Sequence, residues 1–206
     1  MKNGIIYSIL KKVLDALNYL SLVELFKYIL IKVFANTNNT QSKITVSRIA
    51  VDIFIILKWL FVILAFLNGW SSTFLTIFIW YLIYSNLYTY FFYHLWSKES
   101  MNTENFDIER VRRRFITLML SIGFSNFCFA YLFRFPYLDD FEWSDKIPLN
   151  AKAIWFSFAN SLTANYEFVK PVTQNGASIT ITQLIISFVF ITLILGKSIP
   201  QTKSTT

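Results

Sequence analysis

The acidic side chains carry the most legible chemistry in this chain, and they are unevenly placed. Asp139, Asp140, Glu142 and Asp145 crowd into one short polar stretch. Glu167 stands alone in a second, ANSLTANYEFVK, between two very apolar segments. Carboxylates at the mouth of a passage draw cations toward it. Other chemistries have little to work with. The single histidine, His94, lies in the aromatic run YTYFFYHLW near an expected helix end, where a packed or interfacial imidazole is the simpler reading than a ligand or base. The single cysteine, Cys128, sits inside an apolar run and alone builds neither an intrachain disulfide nor a cysteine-based metal site. No Gly-rich phosphate loop, HExxH or GxSxG occurs. No enzymatic activity, no cofactor and no metal beyond permeant cations are expected.

The elements that must position those acids are set by composition. Of the 206 residues 55% are hydrophobic and 19% aromatic, with 22 Phe, 11 Tyr and 6 Trp. A soluble domain of this size cannot hide so much apolar surface, so the expected class is an all-α integral membrane protein. The formal charge of +7 invites a nucleic-acid reading, but the basic residues gather at the edges of apolar runs, as at the cytoplasmic ends of membrane helices. Nucleic-acid binding is therefore not expected.

Four apolar runs are expected to be transmembrane helices: Ile49 to Leu67, Phe74 to Trp96, Phe115 to Phe133 and Ile179 to Leu195. Each is long enough for a hydrocarbon core of ~30 Å. The first carries Lys58, which can snorkel, pair with a neighbour or face a wet interior. NGWSST (Asn68 to Thr73) makes a short turn between the first two. Lys43 and Arg48 precede the first span, Lys98 and Arg110, Arg112, Arg113 and Arg114 lie between the second and third, and Lys197 and Lys203 follow the fourth. If all four runs cross, these flanks share one side, which places both termini in the cytoplasm. The arginines stand almost adjacent and outside the apolar run, whereas voltage-sensing helices carry Arg at every third position inside it. A patch for lipid headgroups is the expected role.

Ahead of the spans, Ile5, Ile6, Ile9, Leu10, Val13, Leu14 and Leu17 share a helical face, continued by Leu25, Phe26, Ile29, Leu30 and Val33. An amphipathic helix at the cytoplasmic membrane surface is expected, the alternative being a cytoplasmic helical hairpin broken near Tyr19 to Ser21. NTNNTQSK (Asn36 to Lys43) reads as a linker. The lysines recurring through the segment do not read as a cleaved signal peptide.

Between the third and fourth spans, Asp145 to Phe158 has apolar length for only half a membrane, with Pro148 placed to start a helix. A polar run follows, then Pro171, then a full span. Non-helical backbone at membrane depth is tolerated only where protein buries it or water lines it. Ala153-Ile154-Trp155-Phe156-Ser157, then Thr163-Ala164-Asn165-Tyr166-Glu167-Phe168, then Pro171-Val172-Thr173 and Gly176 follow one another without a gap. This stretch resembles the pore region of tetrameric potassium channels, in which a pore helix leads into a T-V-G-Y-G-D filter, an outer P-V-T and a glycine three residues later. The resemblance implies a re-entrant pore helix (Trp155, Phe156, Ser157), a selectivity filter or ion-binding segment (Thr163, Ala164, Asn165, Tyr166, Glu167), an outer mouth (Asp139, Asp140, Glu142, Asp145) and a homo-tetramer. Asn165 and Glu167 stand where the family has glycine. Asn enters the left-handed region readily, but an ordinary residue such as Glu pays roughly 1–2 kcal/mol there. In a fourfold assembly Glu167 would form a ring of four carboxylates, which favours monovalent or divalent cations and leaves some carboxyls protonated or cation-bound.

The sequence thus predicts a cytoplasmic helical segment and linker (1–44), a two-helix transmembrane hairpin (45–97), a basic loop (98–114), a pore domain (115–197) and a short tail (198–206). The expected function is a potassium-channel-like tetrameric cation channel subunit with altered or weak potassium selectivity. The alternative is a non-conducting scaffold or modulatory subunit with a degenerate pore loop. A low-cysteine, Lys- and Asn-rich chain suggests a bacterial plasma membrane. Thr180, Thr182, Gln183, Ser187 and Thr192 on the last span either line an aqueous path or serve as interhelical hydrogen-bond partners. Gly196 is expected to cap that span.

Overall fold

The computed structural model, described over residues 4–19, 21–35, 39–96, 108–144, 148–164 and 166–196, is mostly helical. The chain divides into two compact units, Met1–Ile63 and Leu64–Thr206. Three helices among the described residues are long and apolar enough to cross a membrane, within Thr40–Leu67, Val111–Arg134 and Gln174–Thr192.

In the first unit, α1 (Ile5–Tyr19) and α2 (Leu22–Phe34) are separate helices. The continuous amphipathic pattern is therefore interrupted at the break near Ser21 that the hairpin alternative placed there. Phe26 of α2 meets Phe54 of α3 (Thr40–Leu67) with ring centroids 5.7 Å apart. The second half of the expected linker is helical. The Asn39 Oδ1 accepts from the backbone N–H of Gln41 at 2.9 Å and of Ser42 at 3.3 Å, an N-cap that starts α3 well before its apolar run. Lys58 is half-buried.

The second unit holds α4 (Thr73–Phe91), α5 (Ile108–Arg134), α6 (Leu149–Ser161) and α7 (Gln174–Phe188). The Ser72 hydroxyl accepts from Leu75 N–H at 3.1 Å and starts α4. This helix has the length of a span, but its tyrosines, Trp80 and Asn86 dilute its apolarity, and it is not among the three. Helices α4 and α7 each pass into a π-helical turn, Phe92–Trp96 and Val189–Leu195. The loop between α3 and α4 closes on Gly69 at φ 64°, with Trp70 N–H bonded to Ala65 O at 3.0 Å. The Tyr131 hydroxyl of α5 donates to Trp70 O at 2.7 Å and pins the turn.

Two expectations need correcting. Helix α5 begins at Ile108, so Arg112, Arg113 and Arg114 ride on its first turns rather than in a loop. Arg and Glu are good helix formers, and Arg112 pairs with Glu109 at 2.9 Å on an exposed face. The backbone of Arg110 is helical too, but its side chain, like residues 98–107 and 197–206, lies outside the described residues. Gly196 stands at the C-cap position of its span, as expected, with right-handed helical angles (φ −57°, ψ −33°). The fold is also not purely α. The short strands β1 (Phe141–Trp143) and β2 (Val169–Pro171) pair antiparallel, with Phe141 opposite Pro171, Glu142 opposite Lys170 and Trp143 opposite Val169.

That strand pair leads into a latch at the start of α7. The Asp140 carbonyl accepts from Val172 N–H at 2.9 Å, and its carboxylate accepts from the Thr173 hydroxyl. The same Thr173 oxygen accepts from Gly176 N–H at 3.1 Å, capping α7. A Cβ on Gly176 would stand 2.5 Å from the Asp140 carbonyl oxygen. The glycine is there because backbone passes over backbone. Gly176→Ala is expected to lower stability by roughly 1–3 kcal/mol, read as unfolding at a lower fraction of SDS in mixed micelles. Gly196→Ala, with open space around it, should unfold no earlier than wild type.

Candidate functional site: a short helix clamped between two long ones

Helix α6 has 13 residues, about 20 Å at 1.5 Å per residue, too short to cross a bilayer. Pro148 precedes it at the N-cap, and the helix runs to Ser161, three residues past its expected end. It is packed chiefly against α5 and also against α7. Its buried face carries Lys152, Ala153, Phe156, Ser157 and Ser161, while Trp155 and Phe158 face outward. Phe156 is held by Phe133, Phe141 and Tyr166, with centroids at 4.9, 5.6 and 6.3 Å. The buried Lys152 ammonium donates to the Ser144 carbonyl just after β1.

A polar network fastens α6 to both neighbours. Gln183 of α7, fully buried, places its Nε2 2.6 Å from Ser157 Oγ, 2.8 Å from Ser157 O and 3.4 Å from Asn126 Oδ1, dividing two hydrogens among three acceptors. Its Oε1 accepts from Asn160 Nδ2 at 2.8 Å, and that amide also donates to Thr180 O at 3.1 Å. On the α5 side, Ser157 Oγ donates to Asn126 O at 2.7 Å, and Asn126 Nδ2 donates to Ser161 Oγ at 3.1 Å. Ser161 Oγ passes its own hydrogen to Phe158 O at 2.8 Å. No member is ionisable, so the clamp buries no charge. Of the polar positions on the last span, Gln183 therefore serves as an interhelical partner within the protomer. Ser187 is buried as well, and Thr180 and Thr182 bond back to Gly176 O and Ser178 O on their own helix.

The loop leaves α6 through a tight cap. Thr163 N–H bonds to Asn160 O at 3.0 Å and Ala164 N–H to Ala159 O at 2.8 Å, the paired pattern of a Schellman motif. Its left-handed position, glycine's usual place, is taken by Thr163 at φ 56°, the one non-glycine residue with positive φ among the described residues. Glu167 thus does not share the left-handed conformation of the filter glycine whose place it takes. Thr163, Ala164 and Glu167 are exposed, and Tyr166 is half-buried. Burial pushes the Tyr166 phenol above its ordinary pKa, and its hydroxyl has no hydrogen-bond partner among the described residues. Asn165 lies outside them. Beyond Glu167 the chain turns into β2, and Ser144 N–H reaches Phe168 O at 3.0 Å.

The acids expected at a mouth divide by role. Asp140 is committed to the latch, Asp139 and Glu142 are exposed, and Asp145 lies outside the described residues. Asn126, Asn160 and Ser161 were not singled out by sequence reasoning. An amide inside an apolar span, as in FSNFCF, was the available signal, since such a group in hydrocarbon needs a partner.

No protein-family model matches the chain, and no curated protein or solved structure matches it. The class that fold and composition define is a helical membrane-protein architecture with three membrane-length helices among the described residues, a half-length helix packed against two of them, and an exposed loop at its end.

Two substitutions test this geometry. Gln183→Leu removes the shared partner of Ser157 and Asn160 and should cost on the order of 1–2 kcal/mol in SDS-titrated unfolding, whereas Thr182→Val should change little. Thr163→Gly should stabilise by about 1 kcal/mol in the same assay, because glycine occupies the left-handed cap without strain.

Proposed function

We propose that this chain is the subunit of a homo-tetrameric, pore-loop cation channel with altered or weak potassium selectivity. In this reading α6 is the pore helix and Thr163 to Glu167 form the constriction. Helix α4 is a fourth span beside the three membrane-length helices, and both termini face the cytoplasm of a bacterial plasma membrane. The observation that carries the reading is the clamped half-length helix, whose exit loop stays exposed in the protomer. A buried short helix presenting a polar loop is costly at membrane depth unless that loop meets water or another protomer.

The chemistry follows from what the loop presents. A potassium filter works by aiming backbone carbonyls from left-handed and extended residues at a bare ion. Here positive φ is spent at Thr163 on capping α6, and Glu167 is an exposed turn residue with ordinary backbone angles. Selection by a ring of carboxylates suits these residues better than selection by carbonyls. Such a ring admits cations, rejects anions, and discriminates weakly between potassium and sodium. Asp139 and Glu142 add negative potential at the mouth, and the arginines at the start of α5 meet lipid headgroups on the opposite side.

One observation favours the second reading, a non-conducting modulatory subunit. The helix cap takes Thr163 and Ala164 at one end and the strand pair takes Val169 to Pro171 at the other, leaving little chain to line a path. Reversal potentials across a planar bilayer separate the two. Under potassium, sodium and chloride gradients, wild type should pass cation-selective current, and Glu167→Gln should reduce cation-over-anion selectivity severalfold. Absence of current from folded tetramers under voltage and lipid variation would favour the modulatory subunit.

A further inference from the structure

Helix α1 presents an apolar face that nothing in its own unit covers. Ile5 and Ile6 are 72% and 76% exposed, Ile9 and Leu10 57% and 53%, and Val13 and Leu17 50% and 39%. At about 100° per residue these six fall on one half of the helix. Lys11, Asp15 and Ser8 lie on the opposite half, and Lys12 marks one border, beside Ile5 and Ala16. Helix α2 differs, because part of its apolar surface is spent on α3 through Phe26 and Phe54, and its Lys27 pairs with Glu24 at 2.7 Å.

The same contact says where α1 is. Phe54 stands inside a helix long and apolar enough to cross a membrane. Helix α2 leans on that helix, and α1 ends two residues before α2 begins. A half-apolar helix is thus tethered within a short chain length of a bilayer. A lysine at one border and charged or polar residues on the opposite half fit a helix lying flat at a bilayer surface, where the Lys12 stem can run along the apolar side while its ammonium group reaches the headgroups.

We propose that α1 lies in the plane of the membrane that this chain itself spans, with Ile6, Ile9 and Val13 sunk into the acyl boundary, Lys12 at headgroup level and Lys11 turned toward water. The proposal rests on the first unit alone and holds whether or not the loop after α6 conducts ions. In-plane seating buries the open face without a protein partner, and it holds the start of the chain at a constant depth.

Site-specific quenching in the full-length protein tests this. Ser8→Cys, Ile9→Cys, Val13→Cys and Asp15→Cys, each in a Cys128→Ala background, receive an NBD label after reconstitution into POPC/POPG vesicles. The set is repeated with the buried Cys128 retained, so that a folding defect from its removal is recognised. Labels at positions 9 and 13 should be quenched by doxyl-labelled lipid at least about threefold more than labels at 8 and 15, with the order reversed for aqueous iodide. Equal quenching of all four by iodide overturns the proposal in favour of a helix in water. Protection of positions 9 and 13 from both quenchers overturns it in favour of a face covered by protein. As a second measurement, the double substitution Ile9→Glu, Val13→Glu should abolish lipid quenching of a label at Ile6→Cys, and undiminished quenching there would equally overturn it.

Discussion

The Gln183 amide, hydrogen-bonded to α6 and also directly to Asn126 of α5, is the interaction on which the rest of the second unit depends. Among membrane helices, apolar packing drives association weakly, because lipid tails are as apolar as leucine. An amide in that medium has no water to fall back on, so an unpaired one is costly and a paired one is directional. A helix too short to span cannot be held by length matching to the bilayer. It is held here by five polar side chains, on three helices, that hydrogen-bond to one another and to the facing backbone. Because none of them titrates, the clamp does not loosen with pH.

From that anchor the loop is built outward. Its near end is closed by the cap at Thr163, and its far end by the β1–β2 pair and the Asp140–Thr173–Gly176 latch. The aromatic rings of Phe133, Phe141, Phe156 and Tyr166 fill the space beneath. The two turns with the same hydrogen-bond pattern make a useful contrast. After α3 the left-handed position is Gly69, at no steric cost, and after α6 it is a β-branched threonine. Strain of that kind persists where surrounding contacts over-determine the backbone, and it marks the loop after α6 as the segment whose shape matters.

Much of the architecture was readable without coordinates because membrane solvation imposes long-wavelength patterns. Three of the four apolar runs expected to span correspond to helices long and apolar enough to cross a membrane, and the half-length run after Pro148 corresponds to α6. Boundaries were less legible. Capping decides them, and Asn39 and Thr173 extend α3 and α7 beyond their apolar runs. Charged helix formers likewise carry α5 out past its own.

What the sequence by itself determined is the solvent each segment prefers: which runs are long and apolar enough for a bilayer, which helix is one-sided, and where a helix too short to cross must be. These follow from composition and periodicity, which act locally along the chain. Which polar residues find one another was decided only by tertiary structure. Asn126 and Gln183 are far apart in sequence, and nothing local distinguishes an amide that clamps a helix from one that lines water. The same holds for Asp140, one of four similar acids until the chain brings Thr173 and Gly176 against it. Partner choice is a property of three-dimensional proximity, and one-dimensional pattern carries no record of it.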